Sequence, residues 1–85
     1  MTEWLNPKHE LPLTHKHVFE GMEWDESEPV LITYRDHNEL KYCIAIYVIE
    51  DEDTYWEDYD TLDEFNKDEV LAWMYLPKPY EEEEK

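Results

Sequence analysis

The alternation of apolar and polar positions predicts an antiparallel hairpin in the middle of the chain. Pro29 introduces the β-branched and aromatic run Val30–Tyr34, which ends in the turn-forming segment Asp36–Glu39. From Lys41 to Ile49 both strand faces are apolar, so this run is expected to be the central strand. The connection between the two runs is short, and a parallel return would need a dozen or more residues. The two strands are therefore predicted to pair antiparallel.

Two shorter strands are predicted after the central one. An acidic turn at Asp51–Asp53 is followed by Thr54–Trp56, which can pair back as a short third strand. Val70–Leu76 is predicted to be the last strand, because Pro77 follows it and proline does not continue a sheet. These segments bring the expected sheet to three or four strands.

The remaining segments predict one helix and an irregular N-terminus. Thr61–Glu64 matches the capping-box pattern Ser/Thr-x-x-Glu, which indicates a helix of one or two turns that carries Leu62 and Phe65. Trp4–Val18 lacks a sustained period and is expected to be an extended lead-in, and Phe19–Glu28 is expected to be a loop. The predicted fold class is mainly β (α+β): a small antiparallel sheet with one short helix.

Length and composition indicate one small folded domain. The 85 residues leave room for one modest core, expected within residues 1–80, and residues 81–85 are expected to be a disordered acidic tail. Hydrophobic residues make up 41% of the chain and aromatic residues 15%, so the net charge of -17 does not by itself indicate disorder. One cysteine, Cys43, and no apolar leader or membrane-length run favour a cytoplasmic protein.

The acidic residues are concentrated in the second part of the chain. Residues 1–49 hold nine acids against four Lys or Arg residues, whereas residues 50–85 hold fifteen acids against three lysines. Such a field repels nucleic acid and anionic membranes, and it speeds encounter with a basic surface. The expected partner is therefore a basic protein, with no direct nucleic-acid or membrane binding, and the chain is expected to be a monomer or a weak homodimer.

Two candidate metal motifs do not suffice for a metal site. His9, His15 and His17 lie in one segment, but no second cluster completes a coordination shell. The segment that starts at Asp51 begins like a calcium loop, yet its sixth position is Trp56 rather than glycine. The twelfth position is also not glutamate, so no metal or cofactor is expected.

Catalytic chemistry is equally weakly indicated. The carboxylates lie in runs that are typical of solvent-facing surface, whereas acid–base catalysis needs a pocket that gives two groups different environments. Cys43 is flanked by Tyr42 and Ile44, and a thiol buried among such neighbours has a raised pKa and is a poor nucleophile. The chain is therefore expected not to be an enzyme.

The acidic stretch from 50 to 64 is the main candidate site. Between Glu50 and Glu69 eleven acids face one lysine, and their repulsion costs stability. Alternate carboxylates on a strand lie ~6 to 7 Å apart, close to the phosphate spacing of nucleic acid. Three rings lie within the stretch: one is expected to face the core and the others to anchor a partner. The candidate partner-binding residues are Glu50, Asp51, Glu52, Asp53, Tyr55, Trp56, Glu57, Asp58, Tyr59, Asp60, Asp63 and Glu64.

A set of aromatic and proline motifs resembles a small phage and prophage family of unknown function. The motifs are Trp4 with Leu11-Pro12, the strand that opens Pro29-Val30-Leu31, a mid-chain aromatic at Trp56, and the closing Trp73-Met74-x-Leu76-Pro77-x-Pro79. Tyr75 stands where the family usually shows proline. The resemblance implies a phage or prophage setting and the cytoplasm of a host cell, and it brings no catalytic residues.

Charge and setting together predict a nucleic-acid mimic. In this hypothesis a phage-encoded acidic protein occupies the basic groove of a host nucleic-acid-binding defence enzyme, for example a CRISPR nuclease, and inhibits it sterically. The alternative is a non-enzymatic interaction module that binds through Trp24, Trp56 or Tyr75, with acidity serving only solubility. A structural protein of the virion is a third possibility.

Overall fold

The computed structural model describes residues 3–66 and 68–77, which form one curled antiparallel sheet of seven strands. The expected mainly β, antiparallel class is confirmed, but the sheet is larger than the three or four strands predicted. The predicted tail, residues 81–85, lies outside the described residues. The strands are β1 (Thr14–Phe19), β2 (Met22–Ser27), β3 (Val30–Asp36), β4 (Glu39–Glu50), β5 (Asp53–Asp58), β6 (Glu64–Phe65) and β7 (Val70–Tyr75).

Strand β4 is the centre of the sheet, as its apolar faces predict. One edge of β4 pairs with β5 along Ala45–Glu50, and the other edge pairs first with β3 and then with β2. The predicted β3–β4 hairpin is confirmed, and it turns at His37-Asn38, where both residues have positive φ. Such a pair matches the twist of the flanking strands. Strand β7 pairs with the far edge of β3, β1 with β2, and β6 with β5.

Strands β1 and β2 form a hairpin that the sequence prediction missed. Irregular structure was expected up to Glu28, and this is wrong for Thr14–Ser27. The hairpin turns at Glu20-Gly21, where φ is 50° and 81°, and a glycine in a two-residue turn is the signal that was available. Apolar alternation was absent, because most side chains of this hairpin remain partly or fully exposed.

The predicted helix at Thr61–Glu64 is also wrong, and the part of the chain that the structure describes contains no helix. The Leu62 amide donates to the Asp58 carbonyl at 2.9 Å, which makes a single turn. Leu62 then takes φ of 67°, a left-handed conformation that ends any helix. The chain continues extended into β6 because Phe65 packs on Tyr34 of β3, with ring centroids 4.7 Å apart.

The concave side of the curled sheet holds the hydrophobic core. Trp56 and Trp73 are almost completely buried and supply most of its ring area. Tyr47 packs on Trp56 with a centroid distance of 4.9 Å, and the Tyr34–Phe65 contact joins β3 to β6 across the concave side. The buried cluster consists of Val30, Ile32, Ala45, Tyr47, Trp56, Val70 and Trp73.

Ser27 bridges the break between the two strands that share one edge of β4. The ladder pairs Glu26 with Val48, and it resumes with Val30 opposite Ala45. In between, the Tyr47 amide donates to the buried Ser27 hydroxyl at 2.9 Å, and that hydroxyl donates to the Glu28 carbonyl. The side chain thus satisfies a backbone donor that would otherwise be buried without a partner.

Ser27→Ala is expected to lower the free energy of unfolding by about 1 to 3 kcal/mol, because the buried Tyr47 amide loses its acceptor. Urea denaturation followed by circular dichroism measures the change. Thr14→Ala, a small change at the residue opposite Ser27, is the matched control and is expected to change little. Equal stability of Ser27→Ala and the parent chain would show that the hydroxyl contributes nothing to the junction.

Candidate functional site

The acidic surface consists of the candidate partner-binding residues between Glu50 and Glu64, which lie on β4, β5, β6 and the turns that connect them. Its exposed carboxylates lie in the two turns that flank β5 and on the first residues of β5 and β6. Asp51 has a φ of 55°, a conformation that aspartate and asparagine tolerate. The exposed acids of this surface are Asp51, Glu52, Asp53, Asp60, Asp63 and Glu64.

The three aromatic rings of the acidic stretch have different environments. Trp56 is only 1% exposed and packs in the core, so it is the ring that faces inward, and its side chain is not accessible to a partner in this structure. Tyr59 is 58% exposed in the turn after β5. Tyr55 is half-buried on the outer face. Two rings of the stretch therefore remain accessible to a partner.

Asp58 differs from the other acids because it organises the turn. Its Oδ1 accepts hydrogen bonds from the amides of Asp60 and Thr61 at 2.8 and 3.0 Å. These backbone donors, the Thr61 amide foremost, hold the pKa of Asp58 below its ordinary value. The register also turns Asp58 toward the concave side, opposite Ala45. The Asp58 carboxylate thus stabilises the turn, and the exposed acids beside it are more accessible to a partner.

The other half-buried carboxylates of the surface converge on the outer face. Glu57 of β5 lies directly opposite Glu64 of β6. Burial, followed by the charges of Glu26, Glu64 and Glu50, raises the pKa of Glu57. Burial likewise raises the pKa of Tyr55, and the charge of Glu50 adds to it. Four carboxylates from four strands therefore share one neighbourhood.

Sequence reasoning missed part of this neighbourhood, because it lies on β2. Glu26 pairs with Val48 of β4, and Val48 pairs in turn with Tyr55 of β5. This register places Met22, Trp24 and Glu26 beside the acidic surface. The spacing Met-x-Trp-x-Glu indicates that the three side chains share one face of a strand. It does not indicate which other strand lies beside that face.

The carboxylates are not spaced as a row of phosphates along β5. Asp53, Tyr55 and Glu57 share one face of that strand, so the ring separates the two acids. Their separation along the strand is therefore about 13 Å, twice the expected spacing. Acids lie directly opposite each other on neighbouring strands instead, at Glu57 and Glu64 and at Glu50 and Asp53. The expected spacing of alternate carboxylates does not occur on β5, and the surface is a compact cluster.

Basic groups do not neutralise this surface within the described ranges. The ion pairs found there join Lys16 to Glu23, His17 to Glu26, and both His37 and Lys41 to Asp36. None includes an acid between 50 and 66 or at 68 and 69. The repulsion within the surface is therefore not offset by these pairs.

Glu57→Gln is expected to stabilise the protein at neutral pH by about 0.2 to 1 kcal/mol, since like charges directly opposite on neighbouring strands are destabilising. The folded state holds the Glu57 proton more tightly than the unfolded state does. The free energy of unfolding therefore falls as pH rises from the ordinary value of 4.5 through the raised folded-state pKa.

Urea denaturation at several pH values measures this effect, and the Gln variant should show a flatter profile over that pH window. Glu20→Gln, at an exposed turn residue far along the chain, serves as the charge-matched control. The assignment is contradicted if both substitutions change the pH profile equally.

The remaining candidate groups have structural environments. Burial, with the charge of Asp58, raises the pKa of the Cys43 thiol to about 12, which leaves almost no thiolate at neutral pH. His15 and His17 share one face of β1, and His17 stacks on Trp24 with ring centroids 5.8 Å apart. Within 3–66 and 68–77, no group of three His, Cys, Asp or Glu residues is placed to hold a metal ion.

The concave side also opens into a cleft of about 690 Å³ between β5, β7 and the N-terminal segment. Tyr47, Trp56 and Val70 form its apolar floor, and Lys8 and Asp68 lie among its lining residues. Its lining brings together no pair of acids with a base or nucleophile. Among the described residues, no helix has the length and apolar character needed to cross a membrane.

Comparison of the chain with protein-family models, curated proteins and solved structures finds no match. The function is therefore inferred from the residues and their geometry.

Proposed function

We propose that this chain is a non-enzymatic, phage-encoded acidic protein that occupies the basic groove of a host nucleic-acid-binding protein and excludes nucleic acid from it. A defence enzyme such as a CRISPR nuclease is the class of target that this role suits. The cytoplasm of the host cell would be the place of action. The acidic surface would meet the Lys and Arg residues that otherwise hold phosphates.

The main support is a concentration of acids that no ion pair of the described residues offsets. Eleven acids lie between Glu50 and Glu69, and the described ion pairs include none of them. Burial, followed by the charges of neighbouring carboxylates, raises the pKa of Glu57 and so disfavours its charged form. A basic partner would relieve this repulsion, so binding would recover free energy that folding alone does not. Mimicry would then rest on charge density, since β5 lacks the spacing of phosphates.

Two exposed or half-exposed rings supply the apolar part of such an interface. Tyr59 lies in the turn after β5, and Tyr55 lies among the carboxylates of the outer face. Aromatic residues at the centre of an interface commonly dominate its affinity, whereas rim charges mainly raise the association rate.

A two-stage binding experiment tests the proposal. The chain is immobilised and exposed to bacterial lysate at low and high salt, and the retained protein is identified and purified. The chain is then titrated into a complex of that protein with labelled nucleic acid. We expect displacement of the nucleic acid and an apparent affinity that falls steeply with salt. Nucleic acid that stays bound while the chain binds would contradict the proposal.

The alternative function, an interaction module that binds through apolar residues, has one specific observation in its favour. Leu40, Tyr42 and Ile44 form an exposed row on the outer face of β4, with Tyr42 75% exposed. Tyr75 is 49% exposed and Trp24 is half-buried, whereas the buried Trp56 drops out of this hypothesis. Binding through this row would change little with salt, and Tyr42→Ser would abolish it. Salt dependence thus separates the two functions.

A further inference from the structure

The outer face of the sheet carries a small cavity beside the acidic surface. Its floor is Val48, only 4% exposed, and its walls include Met22, Trp24 and Tyr55. Three glutamates complete the lining: Glu26, Glu50 and Glu57. The volume is about 280 Å³, just below the range of about 300 to 1,000 Å³ that is usual for small-molecule sites. This size suits one long side chain better than a metabolite.

The walls of the cavity are held in place before any ligand arrives. The indole N–H of Trp24 donates to Glu26 Oε1 at 2.8 Å, which fixes the carboxylate against the ring. His17 stacks on Trp24 with ring planes 12° apart. On the other side of Val48, Tyr55 lies beside Glu50, and burial together with the charge of Glu50 raises the pKa of the Tyr55 hydroxyl. Such preorganisation lowers the entropy cost of binding.

The chemistry of this lining is that of a site for an organic cation. Ring faces attract a cation through their quadrupole, and carboxylates accept hydrogen bonds from it. Among the described residues, the one ion pair to these glutamates joins His17 Nε2 to Glu26 Oε2 at 3.8 Å, and no lysine or arginine pairs with any of the three. The cavity thus combines ring walls, an apolar floor and carboxylates that no described lysine or arginine neutralises.

We propose that this cavity receives one arginine side chain of a basic partner protein. Arginine fits better than lysine because its planar guanidinium both stacks on an aromatic face and donates in a fork to carboxylates. The apolar floor at Val48 would receive part of its aliphatic stem. The inference rests on the proposed function for the identity of the partner, whereas the cavity can be tested with peptides alone.

The test uses three blocked tripeptides, Gly-Arg-Gly, Gly-Lys-Gly and Gly-citrulline-Gly, titrated into the full chain and followed by NMR. The arginine peptide is expected to shift the Trp24 indole N–H and the amides of Val48 and Tyr55. The lysine peptide should bind more weakly, and the citrulline peptide, which has the shape without the charge, should not bind. Equal shifts from the arginine and lysine peptides, spread over the exposed acids, would contradict the proposed arginine site. The proposed function would not be affected by that result.

Paired variants separate the cavity from general charge. Glu26→Gln/Glu57→Gln removes two acceptors inside the cavity, and the dissociation constant for the arginine peptide should rise about five- to tenfold or more. Asp51→Asn/Glu52→Gln removes the same charge from the adjacent exposed turn and should change it less than about twofold. Equal losses from both pairs would overturn the proposal. Conversely, arginine binding in the cavity without nucleic-acid displacement by the chain would overturn the proposed function and leave the cavity standing.

Discussion

Trp73→Ala is expected to lower the free energy of unfolding by about 3 to 5 kcal/mol, as is usual for a large buried ring. Trp73 is completely buried and stacks edge-to-face on Tyr75 at 4.9 Å. A domain of this size has a total stability of only about 4 to 13 kcal/mol. The substitution therefore removes a large share of it, and urea denaturation followed by far-ultraviolet circular dichroism measures the loss.

Trp73 also attaches the N-terminal segment to the sheet. Its indole N–H donates to the Glu10 carbonyl at 2.7 Å, and its backbone exchanges two hydrogen bonds with Leu5 at 2.7 and 3.0 Å. Trp73→Phe keeps an aromatic ring but loses the donor, which should cost about 1 to 3 kcal/mol, and the smaller ring adds a cavity cost to this.

Hydrogen exchange of the Leu5 amide reports whether the segment loosens in Trp73→Phe. Trp4→Ala, at a ring that is 47% exposed, is the control and is expected to change stability by about 0.5 kcal/mol or less. If Trp4→Ala lowered the free energy of unfolding as much as Trp73→Ala, burial of the ring would not explain the loss of stability.

Neutralising four exposed acids of the acidic surface is expected to weaken binding to a basic partner about fivefold or more. The variant is Asp51→Asn/Glu52→Gln/Asp53→Asn/Asp60→Asn, and it removes four of the 17 net negative charges. Each exposed pair contributes about 0.2 to 1 kcal/mol, so four lost pairs amount to about 1 to 4 kcal/mol. The salt dependence of the affinity should decrease with it. Titration of the partner identified from lysate, at two salt concentrations, measures both quantities.

Asp58 is left unchanged in this variant because its carboxylate accepts the amides of Asp60 and Thr61. Removing it would confound lost binding with a disrupted turn. The charge-matched control is Glu3→Gln/Glu10→Gln/Glu20→Gln/Glu39→Gln, four exposed acids outside the surface. We expect this control to retain most of the affinity. An equal loss in both variants would mean that total charge, and not its placement, determines binding.

The strands that could be predicted from the sequence are those whose side chains enter the core. Val30 and Ile32 of β3, Tyr47 of β4, Trp56 of β5 and Trp73 of β7 are all buried, and each lies in a run with strong strand preference. Local sequence is informative there because burial on one face imposes a period of two.

The errors lie where local sequence and tertiary contacts compete. The capping pattern at Thr61–Glu64 forms a turn rather than a helix. Phe65 packs on Tyr34, and this contact keeps Glu64 and Phe65 extended in a strand. The β1–β2 hairpin carries polar residues on much of its surface, and only two of its residues, Asp25 and Glu26, pair with β4. Its side chains therefore show too little alternation to reveal it.

The sequence by itself determined that this protein is mainly β, that its central strand lies between 41 and 49, and that its acids concentrate after Ile49. Composition and alternation are local properties, so they can be read without a fold. Only the tertiary structure decided that Trp56 is buried, that Asp58 holds a turn, and that β2 delivers Trp24 and Glu26 to the carboxylates of β4 and β5. These outcomes depend on strand register between distant segments, which backbone hydrogen bonds and core packing select together.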